Sequence, residues 1–251
     1  MTNTIQSLWI GGSLSKMEQL SIQSFLDHGH EYHLYVYGPV QHVPTGAIIK
    51  DGNDILPKTD IFTYKNGSYS AFSNLFRFTM LYKKGGYWAD TDLICVKKLD
   101  IDTPYVFVSE PNNTYNKNIP TSCLIKMPKN SSIAKKAMDI QLEHKQLILS
   151  GKIAWGSGPT TVRQIIKEFN LHRYMLHWHG ACSCNWNDFL SIVNSKYYRR
   201  PEVIQSLSNI PSDMYAIHLW NEVWRRNGLH KNNDYDPNSL YEQLKQKHGI
   251  K

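Results

Sequence analysis

Long apolar runs are missing from this chain. No stretch approaches the ~18 to 20 apolar residues that a membrane helix requires, so a helical integral membrane protein is not expected. The opening residues, MTNTIQSLWIGG, carry no basic segment ahead of an apolar one, so no secretory leader is expected and the reading is cytoplasmic. Cysteine is scarce. Cys95, Cys123, Cys182 and Cys184 are irregularly spaced, which excludes a disulfide framework and suits reduced thiols. Internal repeats and low-complexity tracts are absent, which excludes solenoids and disordered linkers. Acids are outnumbered, with 21 Asp and Glu against 28 Lys and Arg for a net charge of +7.

What is present reads as globular. Apolar residues make up 41% and charged residues 20% of 251 positions, enough for one sizeable core, and no composition break marks a second domain. Much of the basic excess comes in pairs: Lys83-Lys84, Lys97-Lys98, Arg199-Arg200 and Arg225-Arg226. Such a surface suits an anionic membrane face, here the inner face of the plasma membrane, or a phosphorylated substrate. The pairs are scattered, so solvated faces explain them equally well, and no nucleic acid is expected as a partner.

Strand and helix signals alternate along the chain. SLWIGG at 7–12 reads as a strand stopped by two glycines, followed by a helix over 13–28 with Gly29 as its stop. Aromatic and β-branched content predicts strands at 33–38 and 47–49. Phe72, Leu75, Phe76 and Met80 share a helical face over 70–84, which ends at Gly85-Gly86 before a short strand at 87–89. Strands follow at 105–109 and 122–127, helices at 131–149 and 159–169 with Pro159 opening the second, then a late strand at 214–220 and a helix at 239–248. This alternation predicts an α/β fold: a mostly parallel, Rossmann-like sheet with helices on both faces and ligands beyond the carboxyl ends of the strands.

The segment KKGGYWADTDLICVKKLD, residues 83–100, concentrates the chemistry. If the acids lie on a strand, Asp90 and Asp92 point to one face. Two carboxylates aimed at one place repel unless a cation lies between them, which is what a hard divalent ion with oxygen ligands requires.

The longer stretch SAFSNLFRFTMLYKKGGYWADTDLICVKKLD, from Ser70 to Asp100, resembles the DXD-containing sugar transferases of glycosyltransferase family 32. Further matches lie in order: LWIGG, FVSE at 107–110, WGSGP at 155–159 and HLWNEVWRRNG at 218–228. The resemblance implies a GT-A fold in a single domain over 1–251, with residues 214–251 as a closing segment and helix. It implies a retaining transfer of a hexose or N-acetylhexosamine from a UDP-sugar to a glycan or lipid-linked oligosaccharide, in surface polysaccharide synthesis. Asp90, Asp92 and Glu110 would serve catalysis. Trp9, Ile10, Gly11, Ser73, Asn74, Arg77, Asp90, Gly158, Asn221 and Trp224 would bind the donor. Asp90, Asp92 and His218 would hold the metal, and an imidazole ligand favours Mn²⁺ over Mg²⁺. One departure stands out: the family's Ser-Asp is Ser73-Asn74 here. An amide donates as well as accepts, so its contacts must differ.

Three other readings compete. Asp90-Thr91-Asp92 could serve an aspartyl-phosphate phosphatase, although Ile94 stands where such enzymes usually have Thr or Val. The 15 tyrosines and 7 tryptophans would also suit a metal-dependent glycan-binding protein without turnover. His177, His179, Cys182 and Cys184 in HWHGACSC could form a zinc cluster, with ligands closer together than structural zinc usually takes.

Overall fold

The computed structural model describes residues 4–197 and 200–251, so Met1 to Asn3, Tyr198 and Arg199 of the basic pair lie outside the described residues. In chain order the regular elements are β1 (Ile5–Leu8), α1 (Lys16–Asp27), β2 (Tyr32–Val36), β3 (Ile48–Asp51), α2 (Ser70–Lys84), β4 (Gly86–Ala89), β5 (Leu93–Cys95), β6 (Val106–Pro111) and β7 (Asn118–Met127). Then come α3 (Ser132–Leu149), α4 (Ser157–Glu168), β8 (Ala216–His218), α5 (Asn221–Arg226) and α6 (Leu240–Lys247).

Six strands form the main sheet in the order β3-β2-β1-β4-β7-β6. The first four are parallel, and β7 runs antiparallel to both β4 and β6. Side-chain alternation divides the apolar residues between two layers. Leu8, Tyr35, Trp88 and Phe107 pack with α2, α3 and α4, whereas Ile5, Leu34, Tyr87, Ala89 and Val108 pack with Ile22 and Phe25 of α1. A third cluster joins Met17 and Leu20 of α1 to Trp224 and Leu244 in the C-terminal helices. The expected mostly parallel α/β sheet with helices on both faces is therefore present.

Local signals account for the element ends. At the start of α1, the Ser15 backbone N–H donates to Glu18 Oε2 at 2.8 Å, closing a capping box, so the helix begins at Lys16 rather than Ser13. Ser131 and Ser239 accept from Ala134 and Glu242 at the starts of α3 and α6. β1 ends at Leu8, four residues before the expected stop, which leaves Trp9 and Ile10 beyond its carboxyl end. The 170–213 stretch, where no regular element was expected, forms four short 3₁₀ turns.

Two features differ from expectation and both shape the site. Asp90 and Asp92 are not on a strand: Leu93 N–H donates to Asp90 C=O at 3.1 Å, so the acids occupy a turn between β4 and β5. The late strand is only three residues long and pairs with β5 in a separate two-stranded sheet, with Leu93 opposite His218. The turn carries the chain out of the main sheet and into this second one.

Gly85 makes the transition from α2 to β4 possible. Its φ of +69° and ψ of −166° lie in a region that essentially only glycine adopts, and an added Cβ would meet the Lys129 backbone nitrogen at 2.5 Å. Gly85→Ala is expected to lower stability by about 2 kcal/mol or more. A shift of the urea unfolding midpoint checks this, and an unchanged midpoint would show that the turn tolerates a side chain.

Candidate active site

The strand ends, α2 and the C-terminal segment enclose a cleft of about 710 Å³. At its floor, ligand atoms of Asp90, Asp92 and His218 lie within 4.8 Å of one another. Among the described residues this is the one such group, so His177, His179, Cys182 and Cys184 do not converge as a zinc site would. Cys182 and Cys184 are instead buried apolar-core residues.

Each carboxylate is held through one oxygen. Asp90 Oδ1 accepts from Arg77 Nη2 at 2.5 Å and from Trp88 Nε1 at 2.7 Å. Arg77 is buried, its guanidinium 4.9 Å from the Trp88 ring centroid. Asp92 Oδ2 accepts from the Asn221 backbone N–H at 2.9 Å and faces His218 Nε2 at 3.4 Å. Asp90 Oδ2 and Asp92 Oδ1 take no part in these contacts. Burial raises the pKa of Asp90 even against the pull of Arg77. Burial also opposes ionisation of Asp92, but His218 and the Asn221 N–H outweigh it and hold the carboxyl below its ordinary value. For His218, burial opposes the charged form, and Asp92 followed by Asp90 and Glu110 outweighs it, so the imidazole pKa is raised. Two oxygen donors and one imidazole nitrogen make a donor set suited to a divalent cation.

The Ser73-Asn74 departure now has a structural account. Asn74 Oδ1 accepts from Arg77 Nη1 at 2.8 Å while its Nδ2 donates to Ser157 Oγ at 3.0 Å, a pairing of acceptor and donor that an ionised carboxylate cannot make. Ser157 Oγ also lies 2.9 Å from Tyr64 Oη, so Asn74 ties Arg77 to the first turn of α4. Gly158 is required by this approach, because a Cβ there would lie 2.3 Å from Asn74 Oδ1. It acts by closeness and does not line the cleft.

Most of the other expected site residues do line the cleft: Trp9, Ile10, Ser73, Asn74, Arg77, Glu110 and Asn221. Burial raises the pKa of Glu110, with His218 and the Thr121 hydroxyl opposing. Two residues fall elsewhere. Gly11 is outside the lining and lies against Trp9, its Cβ position 3.1 Å from Nε1. Trp224 is fully buried and packs on Tyr235 and Tyr241 at 5.5 and 5.0 Å, so the structure places it in the C-terminal core and not at the cleft. At helical spacing from Trp220, its apolar face has been taken by α6.

The structure adds contacts that the motifs did not predict. Trp220 lines the cleft with its ring 4.1 Å from His218, and its left-handed backbone, φ +61°, turns the chain from β8 into α5. Lys231 Nζ sits 5.4 Å over the Trp9 ring while pairing with Glu18. Arg226 lies 4.7 Å over Trp155, bridging α5 to the loop before α4. The strained backbone at Trp220 and the basic side chains over aromatic rings have no local sequence signature.

The sequence model described as a glycosyltransferase sugar-binding region containing a DXD motif matches residues 15–115, which include α1, α2 and Asp90 to Asp92. Among solved structures, the PaToxG glycosyltransferase is similar over 99% of this chain and 87% of that one, at 14% identity and a TM-score of 0.50. The UDP-bound glycosyltransferase domain from the YGT toxin is similar over 96% of this chain and 81% of that one, at 10% identity and a TM-score of 0.42. No curated protein matches the chain in sequence. The fold is that of GT-A glycosyltransferase domains.

Buried Arg77 and part-buried Asp90 form the charge pair of the site. Arg77→Met is expected to cost about 1 to 3 kcal/mol, because it leaves a part-buried carboxylate without its charged partner beside Asp92. Adding Asp90→Asn should recover part of that loss, and denaturant unfolding of the four proteins in the cycle measures the coupling. Additive losses would show that the pair is not coupled.

Proposed function

We propose that this protein is a metal-dependent glycosyltransferase that transfers a sugar from UDP-sugar to a hydroxyl acceptor. The observation that carries the reading is the Asp90, Asp92 and His218 cluster at the floor of a cleft, beyond the carboxyl end of β1 and beside Arg77. The DXD family model, which covers both acids, supports it.

Asp90, Asp92 and His218 would hold the cation, through carboxylate oxygens and an imidazole nitrogen. Bound there, a divalent ion neutralises charge growing on a diphosphate leaving group. The imidazole is the reason to favour Mn²⁺ over Mg²⁺. Arg77 and Asn74 would keep Asp90 ionised and oriented. Trp9, next to the end of β1, would take the uracil face, with Ile10 beside it. Glu110 lines the cleft and would meet the sugar. Retention of configuration is what the family resemblance implies. No carboxylate is singled out as a nucleophile, so the protein's part in a front-face route would be positioning and electrostatic stabilisation.

Residues 214–251 would close a single GT-A unit over the donor. Lys231 over Trp9 and Arg226 over Trp155 support that role, since one segment reaches both walls. Asn221 would face phosphate oxygens, and closure would keep water from the donor. The acceptor would be a glycan or lipid-linked oligosaccharide in surface polysaccharide synthesis. The basic surface would allow peripheral contact with an anionic membrane. Among the described residues no helix is long and apolar enough to cross one.

Asp92→Asn keeps the hydrogen-bond acceptor for Asn221 and removes the charge. With UDP-glucose, UDP-galactose and the two N-acetylhexosamine donors plus Mn²⁺, wild type should release UDP slowly. The variant should lose about 100-fold or more of that rate while remaining folded by circular dichroism, and EDTA should do the same to wild type. Activity within a few-fold of wild type would remove Asp92 from the site. No UDP release from any donor would remove the transferase reading.

A further inference from the structure

Aromatic rings in this protein are mostly interior, and the exceptions share one place. Among the described residues the exposed ones are Tyr69 at 47%, Trp155 at 41% and Trp186 at 45%, and all three line the cleft. The other large exposed apolar side chains are aliphatic and sit on β3 and on α3, away from it. Exposed rings gathered at one mouth are not what random surface composition yields, and such patches mark sites of binding.

The three rings are mounted at the starts of structural elements. Tyr69 precedes α2, its carbonyl accepting from Ser73 N–H at 2.9 Å. Trp155 stands just before the α4 cap residue Gly156, with Arg226 4.7 Å from its ring centroid and the Tyr64 ring at 5.1 Å. Trp186 opens the 3₁₀ turn 186–192, whose Phe189 and Ile192 are anchored in the C-terminal core. Anchored neighbours hold the rings in place, so little freedom is lost when something stacks on them.

Glu222 accepts from Arg225 Nε and Nη2 at 2.9 and 2.7 Å and from Arg226 Nε at 2.8 Å, so one carboxylate is shared between two guanidinium groups and this part of the lining keeps a net positive charge. A pyranose suits the rings beside it: its C–H face is apolar and packs on an aromatic ring, while its hydroxyls remain at the wet edge.

We infer that Tyr69, Trp155 and Trp186 form the acceptor platform and that the acceptor is a carbohydrate presented by its pyranose faces. The inference rests on the transferase reading for the word acceptor, but the platform itself can be tested alone. Saturation-transfer NMR and calorimetry with cellobiose, maltose and lactose at millimolar concentration, in the presence of UDP and Mn²⁺, should detect binding of at least one. Trp186→Ala and Tyr69→Ala should each weaken it about tenfold or more, a loss of about 1.4 kcal/mol. Trp186→Phe and Tyr69→Phe should retain it within about threefold, since the ring and not the hydroxyl or indole N–H makes the contact. If alanine at 186 lowers the melting temperature, Trp186→Gln supplies the same test at a half-exposed position.

Absence of binding to all three disaccharides overturns the platform, as does equal binding by the alanine variants. Binding of a serine- and tyrosine-containing peptide in place of the sugars overturns it as well, since the acceptor would then be a protein. UDP affinity of wild type, measured in the same calorimeter, reports separately on the donor site. Disaccharide binding without UDP affinity supports the platform and sinks the transferase. UDP affinity without disaccharide binding does the reverse.

Discussion

Electrostatic repulsion between Asp90 and Asp92 is the constraint around which the site is organised. Two carboxylates in one buried turn are unstable unless each has its own compensation, and the structure supplies two different kinds. Arg77, from the helix on one side of the sheet, balances Asp90, while His218 and a backbone N–H, from the second sheet, balance Asp92. The compensation is incomplete by design of the geometry. Burial still raises the pKa of Asp90. A site in that condition is short of positive charge, which is the physical content of calling it a cation site.

Several other features exist to hold those compensating groups. Arg77 needs Asn74, which needs Ser157, which needs Gly158 to let α4 approach. His218 needs β8, which needs β5 to pair with, which needs the turn to leave the main sheet. Trp220 adopts a strained left-handed backbone to start α5 directly after β8, and this places the Asn221 N–H on Asp92. The two paths, through α2 and through β8, meet at the acidic turn.

The fold was legible in the sequence because its signals are local. Periodic apolar residues gave α2 its bounds to the residue, and glycine and serine punctuation placed most other ends within a few positions. The acidic turn itself was found for a partly wrong reason. Alternation along a strand would put Asp90 and Asp92 on one face, whereas a turn brings them together here. Asn221 and His218 were reachable from the motif pattern, but Trp224 was assigned to the cleft when α6 covers it, since a helical spacing of tryptophans does not say which neighbour arrives. Lys231 over Trp9 and Arg226 over Trp155 were not legible at all. Both depend on where a distant segment lands, which no short window of sequence records.

The pairing of β1 with β4 sets Ile5 opposite Tyr87, joining strands separated by the whole of α1, β2, β3 and α2. Trp9 follows one of these strands and Asp90 the other, so both walls of the cleft hang from a single seam. Contacts of such sequence separation are costly in loop entropy and form slowly. A nascent chain that has made α1, β2 and even α2 therefore has no half-built cleft to offer a nucleotide or a metal. The cleft needs that seam as well as the C-terminal segment that brings His218, and a ligand can hold only the chain in which both are in place.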